Sequence, residues 1–185
     1  YDHLCSFSRG DASFAPLPDL SDLWAGDDRL LFTIPGKRLD IREALLDLIL
    51  GAEKTIHLRT WYFLPDDEIL DALCTQAVRG VQVNVLLSHR TRVRPVDLAN
   101  AIHVHRLVCA GGHVYRFAGR YMHAKVSWND RGTVLLGSAN LDPHSMKINF
   151  ESCLQIEDQN LAWQLNRAFN ADLQVCIPQT PEVYR

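Results

Sequence analysis

The chain has 185 residues, 47% of them hydrophobic and 22% charged, with a net charge of −3. That length fits one globular domain with a core of its own, in no need of disulfide or metal staples. The acidic balance argues against a domain that grips nucleic acid by charge alone, since such domains carry a basic excess.

Residues 1–28 are rich in Pro, Asp, Ser and Gly, with isolated Phe14, Leu17, Leu20, Leu23 and Trp24, and read as a lead-in segment or linker. Regular patterning starts with a short strand over Leu30 to Ile34, closed by Pro35-Gly36. Ile41, Ala44, Leu45, Leu48 and Ile49 recur at helical spacing, with Gly51 as the stop. Thr55 to Phe63 is rich in β-branched and aromatic residues and reads as a strand. Leu64-Pro65-Asp66 then opens a helix carrying Ile69, Leu70, Leu73, Cys74 and Ala77 on one face, ended by Gly80. Val81 to Leu87 reads as a buried strand. A third helix follows Pro95 and runs through Leu98 and Ile102 to Val108, before Gly111-Gly112.

Strands are then expected over His113 to Phe117, His123 to Trp128, Thr133 to Gly137 and Asn149 to Ile156, and a last helix carries Leu161, Leu165, Ala168 and Phe169. Asn129-Asp130-Arg131-Gly132 has the composition of a hairpin turn. Strands alternating with helices predict a layered α/β/α domain, a mixed sheet covered by helices on both faces, over residues 29–175. Residues 176–185 read as a C-terminal tail.

No stretch approaches the ~20 uninterrupted apolar residues that span a bilayer, and the polar first residues lack the basic start of a signal peptide. Cys5, Cys74, Cys109, Cys153 and Cys176 are widely spaced, with no C-x-x-C pair. They fit a reducing or cytoplasm-facing compartment and no zinc site. No metal or other cofactor is expected.

The informative stretch is His123-Ala124-Lys125, four residues, Asp130, six residues, Gly137-Ser138-Ala139-Asn140, and then Glu151. On a strand, His123 and Lys125 point to one face, so a phosphate laid there meets an imidazole and an ammonium together. The second strand of the hairpin brings Ser138 and Asn140 to the same edge as donors. One imidazole can attack or protonate while Lys125, Ser138 and Asn140 hold the charged oxygens. Glu151 is placed to accept a proton from the far imidazole nitrogen, fixing the tautomer and raising the basicity of His123. Asp130 belongs to the catalytic motif, yet its place in the turn predicts that it holds the hairpin and does not touch substrate.

Here the chain resembles the phospholipase D superfamily, whose signature H-x-K, four residues, D, six residues, G-S-x-N it meets at every fixed position. Tyr62-Phe63-Leu64-Pro65-Asp66, Asn140-Leu141-Asp142-Pro143-His144-Ser145 and Asn149-Phe150-Glu151 look like the matching elements of bacterial cardiolipin synthases. The similarity runs from about Leu30 to Leu173. His144 departs from it, standing where those enzymes commonly carry Arg. The resemblance implies phosphatidyl transfer, or hydrolysis, through a covalent phosphohistidine with no metal. It also implies a second histidine. This chain has one motif, so the other half must come from elsewhere in a longer chain or from an identical subunit, across a pseudo-two-fold interface.

Arg90, Arg92 and Arg94 follow the carboxyl end of a strand, where ligands of open α/β sheets bind, and are candidates for substrate phosphate. A solvated loop is an equal reading of them. His57, His113, His103 and His105 read as structural or surface residues. Trp61, Tyr62 and Phe63 read as core and site wall. The expected partners are a phospholipid, the second catalytic half and a membrane surface. The expected location is the cytoplasmic side, held at the inner membrane by parts outside this chain. The alternative is a homodimeric phosphodiesterase or endonuclease of the same superfamily, for which nucleic acid would be the partner.

Overall fold

The structure is a computed structural model that describes residues 26–89, 94–119 and 122–181. Among these, nine strands and four α-helices follow the order β1 (Arg29–Ile34), β2 (Arg38–Leu39), α1 (Asp40–Leu50), β3 (Thr55–Thr60), α2 (Asp67–Val78), β4 (Gln82–Ser88), α3 (Arg94–Cys109), β5 (His113–Phe117), β6 (Val126–Asn129), β7 (Thr133–Gly137), a π-helical turn (His144–Ile148), β8 (Glu151–Glu157), α4 (Gln159–Leu173) and β9 (Cys176–Gln179). The strands form one mixed sheet in the order β2-β1-β8-β7-β6-β3-β4-β5-β9. β3, β4 and β5 are parallel, and the other neighbouring pairs are antiparallel.

Side-chain alternation along the central strands sorts residues into two cores. Ile56, Leu58, Val83, Val85 and Leu87 pack under α1, α2 and α3, against Ile41, Leu45, Leu48, Ile69, Leu70, Leu73, Val104 and Leu107. Leu86, Trp128 and Val134 face the other way, toward Ala162 and Phe169 of α4. His57 belongs to that second core: its ring stacks on Trp128 (4.9 Å between centroids, 3° between planes) and meets Phe169 edge-on. Burial first, then the charge of Arg59, push its pKa down to about 4, so it packs as a neutral ring. The helix starts follow from their caps. The Asp66 carboxylate accepts from Ile69 N (3.1 Å) and that of Asp158 from Asn160 N and Leu161 N (2.7 and 3.1 Å).

Three expectations are corrected. Cys176–Gln179, read as tail, is an edge strand paired with β5; its apolar Cys176 packs with the α4 core. The strand expected from Asn149 begins at Glu151, because Asn149 N is taken by His144 O (2.7 Å) at the end of the π-turn. The strand expected from His123 begins only at Val126. β3, its neighbour, pairs with it no further than Arg59↔Val126, and the chain after Thr60 turns away, with Thr60 Oγ1 donating to Tyr62 O (2.7 Å). His123 and Lys125 therefore lie outside any strand, and alternation does not fix their directions.

Candidate active site

The β6–β7 hairpin sets the site's frame. At its turn, Asn129 Oδ1 accepts from Arg131 N (2.9 Å) and Thr133 N (3.3 Å), and Gly132 takes the positive φ of 90° that the turn requires. Asp130 Oδ1 accepts three backbone N–H bonds, from Glu53, Lys54 and Thr55, each 3.0 Å. These tie the hairpin to the segment that leads into β3. Burial works to raise the Asp130 pKa, but the three N–H donors outweigh it and hold the carboxyl below its ordinary value. Asp130 thus sits at the end of β6 away from His123, and its bonds are those of a brace. The expectation drawn from its place in the turn matches this geometry; contact with substrate does not.

At the other end, Gly137 N donates to Lys125 O (3.2 Å) and Ser138 N to Ser152 O (3.0 Å), bringing Lys125, Ser138 and Glu151 to one edge of the sheet. The glycine is needed for this approach. A Cβ on Gly137 would lie 2.2 Å from Ser152 O and 2.5 Å from Cys153 Sγ. The Ser138 hydroxyl donates to the Glu151 carboxylate and accepts from Ser152 N (3.1 Å). Its one proton is thereby committed to the carboxylate, so Ser138 braces Glu151 here, a different task from the phosphate donor the sequence suggests. Asn149 Nδ2 reaches the other Glu151 oxygen at 3.4 Å.

Lys125 is half-buried, and its ammonium donates to the His123 carbonyl (3.1 Å). Desolvation lowers its pKa, while Glu151 and Asp142 pull it back up, which places both carboxylates within electrostatic reach. The His123 side chain is exposed. Desolvation and then the Lys125 charge push its pKa below the ordinary value, keeping a neutral ring nitrogen available at neutral pH. Trp61 meets that imidazole edge to face, with centroids 5.0 Å apart and planes at 73°. Asn140 Oδ1 is buried with no hydrogen-bond partner among the described residues, an unsatisfied polar atom of the sort that gathers at functional sites. Beneath the site lies a cavity of about 30 Å³, reached by Lys125, Thr60, Ala139 and Met146 and otherwise mostly apolar.

The floor is tied to the helices. Phe63 bridges Leu141, Leu64 N donates to Leu141 O (2.9 Å), and Phe63 N donates to the buried Asn100 Oδ1 (2.8 Å). Asp142 Oδ1 caps the π-turn through His144 N (2.8 Å) and Ser145 N (3.0 Å). Lys147 and Arg42 both pair with Asp66, at 2.9 and 2.7 Å. Burial alone would raise the Asp66 pKa; Arg42, Lys147 and the Ile69 N–H together bring it to about 2. The sequence marks Asp66 only as a helix opener. Its role as the clasp between α1, α2 and the π-turn has no local signature, because its partners lie far along the chain.

Arg90 and Arg92 fall outside the described residues, and Arg94 is described only as the first residue of α3. β4 ends at Ser88 on the edge of the sheet where β3 ends and β6 begins, the edge at which His123 and Lys125 lie. His144 is exposed, its Nδ1 4.0 Å from Asp142 Oδ1. No helix among the described residues is long and apolar enough to cross a membrane.

A family model described as "Cardiolipin synthase, PLD-like domain" matches residues 45–173, which hold the whole constellation from Trp61 to Glu151. The chain belongs to this family. It is a family of phosphatidyltransferases and phosphodiesterases. Among curated relatives, cardiolipin synthase A of Escherichia coli O157:H7 is 36% identical over 133 residues, 72% of this chain and 26% of that protein. Cardiolipin synthase A of Pseudomonas aeruginosa is 32% identical over 137 residues, 74% of this chain and 28% of that protein. The chain therefore spans about a quarter of the length of these relatives. Among solved structures, the phospholipase D family member Nuc of Salmonella typhimurium superposes with a TM-score of 0.71 at 19% identity, covering 83% of this chain and 97% of Nuc. Phosphatidylserine synthase of Haemophilus influenzae superposes with a TM-score of 0.68 at 18% identity, covering 82% of this chain and 39% of that one. These likenesses show the fold alone, a mixed sheet between helices.

Proposed function

We propose that this chain supplies one half of a phosphatidyltransferase site of cardiolipin-synthase type, in which His123 meets the phosphorus of a phospholipid and a phosphohistidine carries the phosphatidyl group. The observation that carries this reading is the single edge shared by His123, Lys125, Asn140, Ser138 and Glu151, inside the region that matches the family. The depressed His123 pKa suits a ring that attacks or takes a proton near neutral pH. Lys125 and Asn140 would hold the equatorial oxygens, strengthening as charge develops on them. Glu151, steadied by Ser138 and Asn149, would set the imidazole's tautomer and stabilise its charged form.

In-line displacement needs an attacking group on one side of phosphorus and a proton donor for the leaving oxygen on the other. One imidazole cannot stand on both sides. Among the histidines of this chain, none but His123 is followed two residues on by Lys and then by G-S-x-N. The second group would come from another segment of a longer chain or from an identical subunit, paired around the His123 edge and the Arg90 to Arg94 loop. The membrane, met on its cytoplasmic side, is the natural source of the lipid.

Transfer to a lipid alcohol and hydrolysis share this intermediate; exclusion of water decides between them. A second reading, a homodimeric phosphodiesterase, has one observation in its favour: the superposition spans nearly all of Nuc. The net charge of −3 counts against nucleic acid as substrate. Incubating the paired protein with phosphatidylglycerol vesicles and, separately, with single-stranded DNA divides the readings. Lipid turnover abolished by His123→Ala is the expected result; DNA cleavage without lipid turnover would overturn it.

A further inference from the structure

His123 lies outside any strand, three residues before the start of β6. No ladder hydrogen bond of a strand therefore sets the direction of its side chain. What does bear on the ring is Trp61, at 5.0 Å and 73°, close to the T-shaped optimum for two rings with opposite edge and face charge. Trp61 is itself held in place. Tyr62 stacks on it at 4.2 Å and 24°. The backbone on which both ride is fixed by Thr60 Oγ1 to Tyr62 O and by Phe63 N to Asn100. Phe63 is fully buried and anchors the segment in the core.

We propose that Trp61 is a positioning residue for His123: its indole, in T-shaped contact with the imidazole, fixes the plane of that ring and so aims the reacting nitrogen at phosphorus. The kinetic part rests on the role assigned to His123 above; the contact itself does not. Indole also excludes water from one side of the ring, consistent with desolvation as the leading cause of the depressed His123 pKa, ahead of Lys125. Among the described residues, the carboxylates of Glu151 on β8 and of Asp142 also act at this edge, through Lys125.

Two measurements on the full protein in its paired state test the proposal. An imidazolium in contact quenches indole emission, so wild-type fluorescence should fall as pH drops through the His123 titration, and this component should vanish in both His123→Ala and Trp61→Phe. Its survival in either variant overturns the contact. In turnover of phosphatidylglycerol, Trp61→Ala should lower kcat about tenfold, the upper worth of an aromatic pair, with KM changed less than about twofold. Trp61→Phe should recover most of the loss. Equal kcat in Trp61→Ala and wild type, or no recovery with Phe, contradicts a positioning role. If the wild type turns over no phosphodiester, the functional reading fails, and the fluorescence arm still decides the contact.

Discussion

The two ends of the β6–β7 hairpin are built on different terms. At the turn, the Asp130 carboxylate and the Asn129 amide are filled by backbone partners, and a positive-φ glycine closes the loop. At the open end, His123 and Lys125 sit outside the strands, Asn140 Oδ1 is buried without a partner among the described residues, and Ser138 and Glu151 are spent on each other. One end is satisfied and serves the fold. The other carries the residues to which we assign the chemistry, and it is at such sites that local rules are expected to yield. A motif of fixed spacing thus mixes two kinds of residue, and spacing alone does not say which is which.

Substitutions at the two ends should separate activity from stability. His123→Ala should give the largest effect, turnover below about 1% of wild type, with the thermal midpoint unchanged because an exposed imidazole contributes little packing. Steady-state rates alongside a melting curve check both halves, and a variant that keeps several per cent of activity would remove His123 from the chemistry. Lys125→Ala and Asn140→Ala come next, each costing about 2–4 kcal/mol of transition-state stabilisation, the range for one preorganised donor. Normal kcat/KM in both would mean that phosphate binds elsewhere.

At the turn the order inverts. Asp130→Ala should destabilise by about 1–3 kcal/mol through three orphaned backbone N–H groups, with kcat nearly unchanged in the protein that remains folded. Asp130→Asn should fall between, since an amide oxygen still accepts but without charge. The Asp130 pKa is depressed in the folded state, so its charge stabilises the protein above the unfolded value near ~3.9. That contribution is lost as pH falls through the lower folded value. Urea midpoints measured from pH 6 down to pH 2 should show a shallower slope in Asp130→Asn than in wild type. Parallel slopes would mean that the carboxylate's charge adds nothing.

The smallest effect concerns Glu151→Gln. The amide can still accept from Ser138, so stability should hold, while turnover slows. A carboxylate near an imidazole favours its charged form. Removing that charge should move the acidic limb of the pH–rate profile to lower pH. An unfolded variant with an unmoved limb would make Glu151 a structural residue.

Much of this was legible in the sequence, for physical reasons. α1, α2 and α4 carry a 3.6-residue apolar period, whereas Leu98 and Ile102 of α3 are exposed, and Asp66 announces its cap by following Leu64-Pro65. β4 reads as a buried strand, and the stretch Thr55 to Phe63 that holds β3 as one rich in β-branched and aromatic residues. The motif gave His123, Lys125, Asn140 and Glu151 as neighbours. What it could not give are relations between distant segments: that β3 stops at Thr60 and pairs with β6 only as far as Val126, that Trp61 meets His123, and that Ser138 turns to Glu151. The pairing of Asp66 with Arg42 and Lys147 and the return of Cys176–Gln179 to the sheet edge are of the same kind. Periodicity reports a segment's own burial. Register and side-chain partnership are settled by the whole sheet.

The most direct test of the half-site account is sedimentation of the isolated chain across a concentration series, with phosphatidylglycerol turnover measured on the same samples. The account predicts that turnover follows the associated species, or is absent from a chain that stays monomeric. A stable monomer with full turnover would contradict it.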